Sequence, residues 1–449
     1  MKITRFGPVA IACLAGLVAG AQTAPPAATA PAPPPPAAAQ SDVERFNLTA
    51  RQLSGKLHRA LSGNALAQMQ GLQALEAEYA GDDRALEVIR TRLAQLVLPR
   101  LGDYAGAQRY ADLVDGPPKN GSPSSSSGLD GYSPTGALQA IADAAGTRQV
   151  VMINEAHHVP QHRAFTLQLL AALRRKGFTY FAAETLSPDP GLAQRGYPTP
   201  ETGAYIQEPL YGDLVRTALR LGYKVVPYEV DADFQTGRGI EPREREQAKH
   251  LVERIFQKDP KAKVLVHAGY AHILKSAASP GSQWMAAYFK ESTGIDPLTV
   301  SQVGMTEHSA PEFEHPLYRW AVERGMVAEP VVLKSATGAF WSSSPGIDIA
   351  VFHPRSRYEN GRPTWLRMGG LRTPLPLGDG ICSQAPRCLV KARPVQEGTD
   401  AVPIDQIVAE AGKPAPALLL PEGEFIVRVE DAQGKLISER KEKVPRPPA

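Results

Sequence analysis

The sequence holds little cysteine, no long apolar run and no block of like charge. Three cysteines in 449 residues exclude a disulfide-dense scaffold and a cysteine-rich zinc module. No stretch reaches the ~18 consecutive apolar residues of a spanning helix, which excludes a multi-span membrane protein. Lys and Arg number 49 against 46 Asp and Glu, a formal charge of +3. With no long Lys/Arg run, nothing marks a dedicated nucleic-acid binder. Several catalytic signatures are also missing: the G-x-S-x-G elbow, the P-loop, G-x-G-x-x-G and H-E-x-x-H. Their absence disfavours a common serine hydrolase, a kinase and a nucleotide dehydrogenase. At 43% hydrophobic there is ample material for a core, and the length suggests two or three domains.

The chain opens with Lys2 and Arg5, an apolar run from Pro8 to Ala21, and Ala19-Gly20-Ala21. This reads as a signal peptide over residues 1–21, with an exported, periplasmic or secreted product. Its removal takes two cations and leaves 3 − 2 = +1, so no electrostatic partner is implied. Residues 22–41 are an Ala/Pro-rich tether. Residues 42–115 carry Leu53, Leu57, Leu61, Leu72, Leu75 and Tyr79 at helical spacing. They are punctuated at Gly63-Asn64, Gly81-Asp82-Asp83 and Gly102-Asp103, which predicts a helical packing or docking segment. Residues 116–133 form a Gly/Ser/Pro linker. From 134 to 370, short apolar strands alternate with helices, as in Val150-Val151-Met152-Ile153 before a helix ending near Gly177. That alternation predicts an α/β domain on a mainly parallel sheet with flanking helices. Residues 371–449 read as a small β module. Cys382 and Cys388 there are the only cysteines beyond the signal, and in an oxidising compartment such a pair most often forms a disulfide.

The chemistry gathers at the predicted strand ends. Glu155, His157, His158 and His162 follow the first strand, and Glu184 follows the second. Glu229, Asp231 and Asp233 follow the third; His267 ends the fourth, with His272 five residues on. In an open parallel sheet these ends line one crevice. Carboxylates and imidazoles there can do acid–base chemistry or hold a metal through N and O ligands. Polar strand-end loops are also ordinary, and Asp231 and Asp233 could equally cap the next helix. The spacing of His267 and His272 puts both in a turn.

The stretch Asn154-Glu155-Ala156-His157-His158-Val159-Pro160-Gln161-His162 resembles the G-E-x-H-x-x-P-x-H opening of the ChaN-like haem-uptake proteins. TraB/TIKI proteins and erythromycin esterases share that opening in looser form. Ala183-Glu184, Arg243-Glu244-Arg245-Glu246-Gln247-Ala248, His267-Ala268-Gly269-Tyr270-Ala271-His272 and the strand from Asp348 to Arg355 are similar to later landmarks of that superfamily, in order. The resemblance spans about residues 135–358. Asn154 and Gln247 stand where the superfamily has Gly and Met. Esterase spacing would make His158 the key histidine; ChaN and TraB spacing makes it His157.

The resemblance implies an α/β fold of the erythromycin esterase/ChaN type and one of three activities: a metal-free histidine esterase, a metal-dependent protease or a haem binder. The expectation is an exported hydrolase that activates water to cleave an ester, lactone or peptide bond. Its catalytic set would be Glu155, His157, His158, Glu184 and His272, with His157 as general base and Glu155 orienting it. Glu155, His157, Glu184 and His272 would be the ligands of a divalent metal. His162, Arg243 and His267 would bind a cofactor, haem included. The alternatives are a haem- or metal-binding protein without turnover, and a non-catalytic scaffold. The expected partners are a small-molecule or peptide substrate and a protein docked on the helical segment or the β module, with no nucleic acid.

Overall fold

The computed structural model of the protein describes residues 42–118, 128–230, 240–276 and 283–446. The expected signal peptide, the tether, most of the linker, Asp231 and Asp233 lie outside the described residues.

The first part is helical: α1 (Asp42–Gln52), α2 (Ser54–Ala60), α3 (Ala65–Glu78), α4 (Asp83–Arg92) and α5 (Tyr104–Asp115). The turn signals of the sequence are their N-caps. Asn64 accepts from Ala67 N, Asp82 from Ala85 N and Asp103 from Gly106 N, at 2.8–3.1 Å. Each satisfies an amide that the helix itself leaves open. A π-helical stretch, Leu93–Val97, continues α4.

The chain then builds an eight-stranded sheet. In order come β1 (Tyr132–Gly136), α6 (Ala137–Ala144), β2 (Val150–Glu155), α7 (Pro160–Arg175), β3 (Tyr180–Ala183), α8 (Leu192–Arg195), α9 (Pro209–Arg220) and β4 (Lys224–Pro227). They are followed by α10 (Ile240–Leu251), β5 (Val264–Gly269), α11 (Met285–Thr293), β6 (Leu298–Ser301), α12 (Pro316–Glu323), β7 (Val331–Ser335) and β8 (Ile349–Phe352). The spatial order is β1-β7-β8-β6-β2-β5-β3-β4. From β8 to β4 every pairing is parallel, whereas β7 runs antiparallel to both β8 and β1.

The mainly parallel sheet expected from the sequence is present; its antiparallel edge arises because residues 336–348 return from β7 to β8 without a crossover helix, and a short return makes an antiparallel pair. One boundary is corrected. Residues assigned to the linker begin strand β1. Its Tyr-Ser-Pro-Thr-Gly sequence lacks strand character, and Pro134 is tolerated because β1 is an edge.

Alternation along the central strands divides the core. Val151, Ile153, Phe181 and Leu265 pack with α6, α7, α9 and, in the same continuous apolar cluster, with the helical segment through Leu66, Leu72, Val88 and Ile89. Val150, Met152, Ala182, Val264 and Val266 pack instead against α10 and α11. The helical segment is therefore part of the main core.

Beyond β8 lie two short antiparallel pairs, β9 (Tyr358–Glu359) with β10 (Arg362–Pro363), and β11 (Thr373–Leu375) with β14 (Leu418–Leu420). An antiparallel sheet is ordered β13-β12-β15-β16, from β12 (Arg387–Pro394), β13 (Asp405–Glu410), β15 (Gly423–Glu430) and β16 (Leu436–Val444). Cys382 and Cys388 form a disulfide in the small core of this module. No helix among the described residues is long and apolar enough to cross a membrane.

The disulfide closes a loop at a sequence separation of 6, so chain entropy assigns it about 2 kcal/mol. The Cys382→Ala/Cys388→Ala double variant is expected to lose that much in urea unfolding while keeping its far-ultraviolet circular dichroism.

Candidate active site

Strand register brings the site together. Glu155 at the end of β2 pairs with Gly269 at the end of β5, and Ala183 of β3 pairs with His267. Glu184 is the first residue past β3, and its backbone N–H donates to His267 O at 2.9 Å. Glu155 and Glu184 are thus near neighbours on one sheet edge, with 1% and 2% exposure. Buried carboxylates need cationic or hydrogen-bonding partners. Each has them from the layer that covers its own face.

On the α7/α9 side, Arg163 in the first turn of α7 forks onto Glu155. Its Nε donates to Oε2 and its Nη2 to Oε1, both at 2.7 Å. Arg163 Nη1 donates to Glu208 Oε2 at 3.1 Å, and the guanidinium stacks over Tyr211. His157 Nδ1 lies 2.8 Å from Glu155 Oε1, and His267 Nε2 lies 2.9 Å from Oε2. Burial opposes ionisation of Glu155; the Arg163 charge and the hydrogen bonds from His157 and His267 outweigh it and hold the carboxyl well below the usual range. Glu208 ends the other way: burial outweighs Arg163 and raises it.

On the α10/α11 side, Arg243 plays the matching part. Its Nη2 donates to Glu184 Oε1 at 2.9 Å and to Glu229 Oε2 at 2.6 Å, and its Nε donates to Glu229 Oε1 at 3.1 Å. His272 Nδ1 lies 2.8 Å from Glu244 Oε2, and its Nε2 lies 3.4 Å from Glu184 Oε1 and 3.2 Å from Arg243 Nη1. Burial works against a charged His272, but Glu244 and Glu184 raise it to about 10. Arg243 Nη1 and the Glu184 and Glu244 carboxylates therefore surround the ring. Burial likewise opposes ionisation of Glu184, and His272 and Arg243 keep its carboxyl well below the usual range.

The two halves meet over Gly269. A Cβ placed on this glycine would lie 2.6 Å from His157 Nε2 and 2.9 Å from Glu184 Oε2. Gly269 N also donates to Glu184 Oε2. Nδ1 of His157 is turned to Glu155, and Nε2 is turned to Gly269. His157 stacks on Tyr205 at 4.2 Å between ring centroids and meets the edge of Tyr270 at 5.1 Å. Two residues leaving the sheet edge, Thr185 and Tyr270, have positive φ of 59° and 41°. Such strain persists only where the surroundings enforce it. Asn154 does so at Tyr270: its Nδ2 donates to Tyr270 O at 2.6 Å, while its Oδ1 accepts from Gln302 N. The asparagine that departs from the resembled motif thus has a bond to make.

Glu155, His157, Glu184 and His272 are brought together as expected; other sequence-based roles change. His267 is not in a turn but inside β5, fully buried, donating to Glu155. His162 faces neither crevice nor water: it is buried, its Nδ1 accepts from Ala156 N, and its ring lies 5.1 Å from that of His353. Arg243 is committed to protein carboxylates. His162 Nε2 and His267 Nδ1 have no hydrogen-bond partner, but both lie fully buried in the protein. His158 lies behind His157, with Nδ1 3.3 Å from Tyr270 Oη; burial pushes it down to about 3, so it is neutral.

The proposed metal set does not fit. Both oxygens of Glu155 already receive two donors each. Glu184 is taken by Arg243 and Gly269 N, and both nitrogens of His272 face carboxylates. No group of three or more His, Cys, Asp or Glu among the described residues has the geometry to hold a metal ion. Haem fits no better at these histidines, which are buried within the protein; two cavities among the described residues, of about 410 and 180 Å³, are lined by none of them. Arg163, Glu208, Glu244, Tyr205 and Tyr270 were missed by sequence reasoning. Only Arg163 carried a signal, six residues after His157 and in the first turn of a helix.

The chain matches no family model and no curated protein. Among solved structures it is similar to the type III effector HopBA1, at 13% identity over 51% of this chain and 99% of that one, TM-score 0.29. It is also similar to RRSP, a MARTX toxin effector domain from Vibrio vulnificus CMCP6, at 13% identity over 57% and 62%, TM-score 0.28. A third is the C-terminal region of Pasteurella multocida toxin, described as having a thiol-protease-like catalytic triad, at 10% identity over 88% and 63%, TM-score 0.27. At these scores no conclusion passes from those proteins to this one.

The charge network predicts a pH profile. A raised histidine stabilises the fold fully below its unfolded value, near 6.5, and that contribution is lost as pH rises toward about 10. Depressed carboxylates stabilise above their unfolded value, near 4.3, and that contribution is lost as pH falls through the range below it. Unfolding free energy is therefore expected to peak between about pH 5 and 6.5 and to fall by on the order of 3–5 kcal/mol by pH 10. Urea titrations of the wild type and His272→Gln check this, since the variant should lose the alkaline slope.

Proposed function

We propose that the protein is a hydrolase whose water is activated at the sheet edge by His157, without a metal, to cleave an ester, lactone or peptide bond. The supporting observation is the convergence of His157 Nε2 and Glu184 Oε2 over Gly269, with Nδ1 of the same ring fixed by Glu155. A carboxylate bound at Nδ1 selects the tautomer whose Nε2 accepts a proton and stabilises the imidazolium that follows.

In this reading a water over Gly269 gives its proton to His157 Nε2 as it attacks the acyl carbon. The imidazolium then returns that proton to the leaving oxygen or nitrogen. Arg163 keeps Glu155 ionised throughout, so the carboxylate orients the ring rather than taking the proton. Glu184, fixed by Arg243 and His272, orients the water from the other side. The resemblance to the ChaN-like, TraB/TIKI and erythromycin esterase proteins supports the same residues, with ChaN/TraB spacing at His157. We place the protein with that superfamily on this basis, and take the mature chain to be exported. The saturated carboxylates favour its metal-free chemistry over metal- or haem-dependent roles.

The test is a panel of fluorogenic esters, lactones and mixed peptides read by mass spectrometry. Hydrolysis is expected to fall at least ~1000-fold in His157→Asn and ~100-fold in Glu155→Gln and Gly269→Ala, and to be unchanged by a chelator. The Gly269 backbone has an ordinary φ of −79°, but an alanine methyl would run into the His157 ring and Glu184 Oε2, so Gly269→Ala must displace one of them. Hydrolysis that survives in His157→Asn, or that a chelator abolishes, overturns the reading.

A further inference from the structure

The helical segment reaches the site through one side chain. Gln95 lies in the π-helical stretch after α4 and is 5% exposed. Its Oε1 accepts from Tyr205 Oη at 3.1 Å, and its Nε2 donates to Tyr270 Oη at 3.4 Å. These are the two rings that hold His157, one on its face and one at its edge. They come from separate segments, one before α9 and one after β5. The amide is the bridge between them.

The bridge is also directional. Tyr205 must donate to the amide oxygen. Tyr270 Oη accepts from the amide nitrogen, so its own proton is left for Nδ1 of His158, 3.3 Å away. A neutral His158 can accept it. A π-helical turn widens the ladder by one residue and is common at functional sites. Here Leu98 N reaches back to Leu93 O, and Gln95 sits within that widened turn.

We infer that Gln95 is a positioning residue for His157, and that the helical segment is a working part of the site rather than a docking module. The inference rests on the proposed role of His157, but its first readout does not need turnover. Gln95→Leu keeps the volume and removes both hydrogen bonds, leaving the two tyrosine hydroxyls unbridged. Gln95→Glu keeps the acceptor for Tyr205 and loses the donor to Tyr270.

The experiment measures the full chain of each variant in two ways. One is the ring ¹⁵N chemical shifts of His157 against pH; the other is its rate of modification by diethyl pyrocarbonate, site-resolved by mass spectrometry. In Gln95→Leu, the His157 modification rate is expected to rise severalfold and its ring nitrogens to shift, with Gln95→Glu intermediate. Adding Tyr205→Phe to Gln95→Leu should change His157 little further, because both act through one bridge. Where a substrate has been found, kcat should fall about tenfold with KM unchanged.

A wild-type modification rate and wild-type ring shifts in a folded Gln95→Leu overturn the inference. If Gln95→Leu does not fold, the same reading is taken from Gln95→Glu and from Tyr205→Phe, where unchanged His157 behaviour overturns it equally. If His157 responds to Gln95 while His157→Asn leaves hydrolysis intact, the positioning stands and the hydrolase reading fails.

Discussion

Two glutamates buried at the carboxyl edge of a parallel sheet set the terms for everything around them. An isolated buried carboxylate is costly enough to take up a proton instead of remaining charged. Glu155 and Glu184 stay charged because each has a buried arginine, from α7 and α10 respectively, and at least one histidine. The pairing fixes how those helices begin. Arg163 can reach Glu155 only if α7 starts at Pro160, where a missing N–H costs nothing. Arg243 can reach Glu184 only if α10 packs its first turns over β3 and β5. The ion pairs stabilise little in net terms, yet breaking one would strand a charge, so they specify geometry more than they add stability.

Much of this arrangement was legible. Apolar runs of four to six residues followed by acid or imidazole mark strands that end in a crevice, and β2, β3 and β5 were found that way. The hidden parts have a common cause: they depend on side chains from distant segments. His267 looked like a turn residue because its spacing to His272 fits no helix face; its place inside β5 is set by Glu155 on the neighbouring strand. His162, at a helix start, could have reached the crevice or faced water, but its Nδ1 instead accepts from the backbone N–H of Ala156. Glu208 and Glu244 had no motif, since each serves as partner to a residue that did. β1 was unreadable because its pairing with β7, not its composition, makes it a strand.

The helical segment shows the same limit at a larger scale. Its periodicity gave the helices and its Asn and Asp residues gave their caps, all local information. Whether it stood apart was not local. Leu66, Leu72, Val88 and Ile89 belong to one apolar cluster with α7 and α9, and Asp112 pairs with His308 at 2.6 Å. The apolar face that suggested a docking surface is covered by the protein's own sheet layer.

The same charge economy bears on the choice of chemistry. A catalytic metal needs carboxylate or imidazole lone pairs that no other cation is using. Here Arg163, Arg243 and His272 take the positions beside the carboxylates that a divalent ion would require. Nε2 of His157 packs against Gly269, with Glu155 behind its ring and Glu184 also beside that glycine. On the reading proposed above, a site whose cations are built from side chains and whose histidine is backed by a carboxylate moves protons at a substrate rather than polarising it with a metal ion.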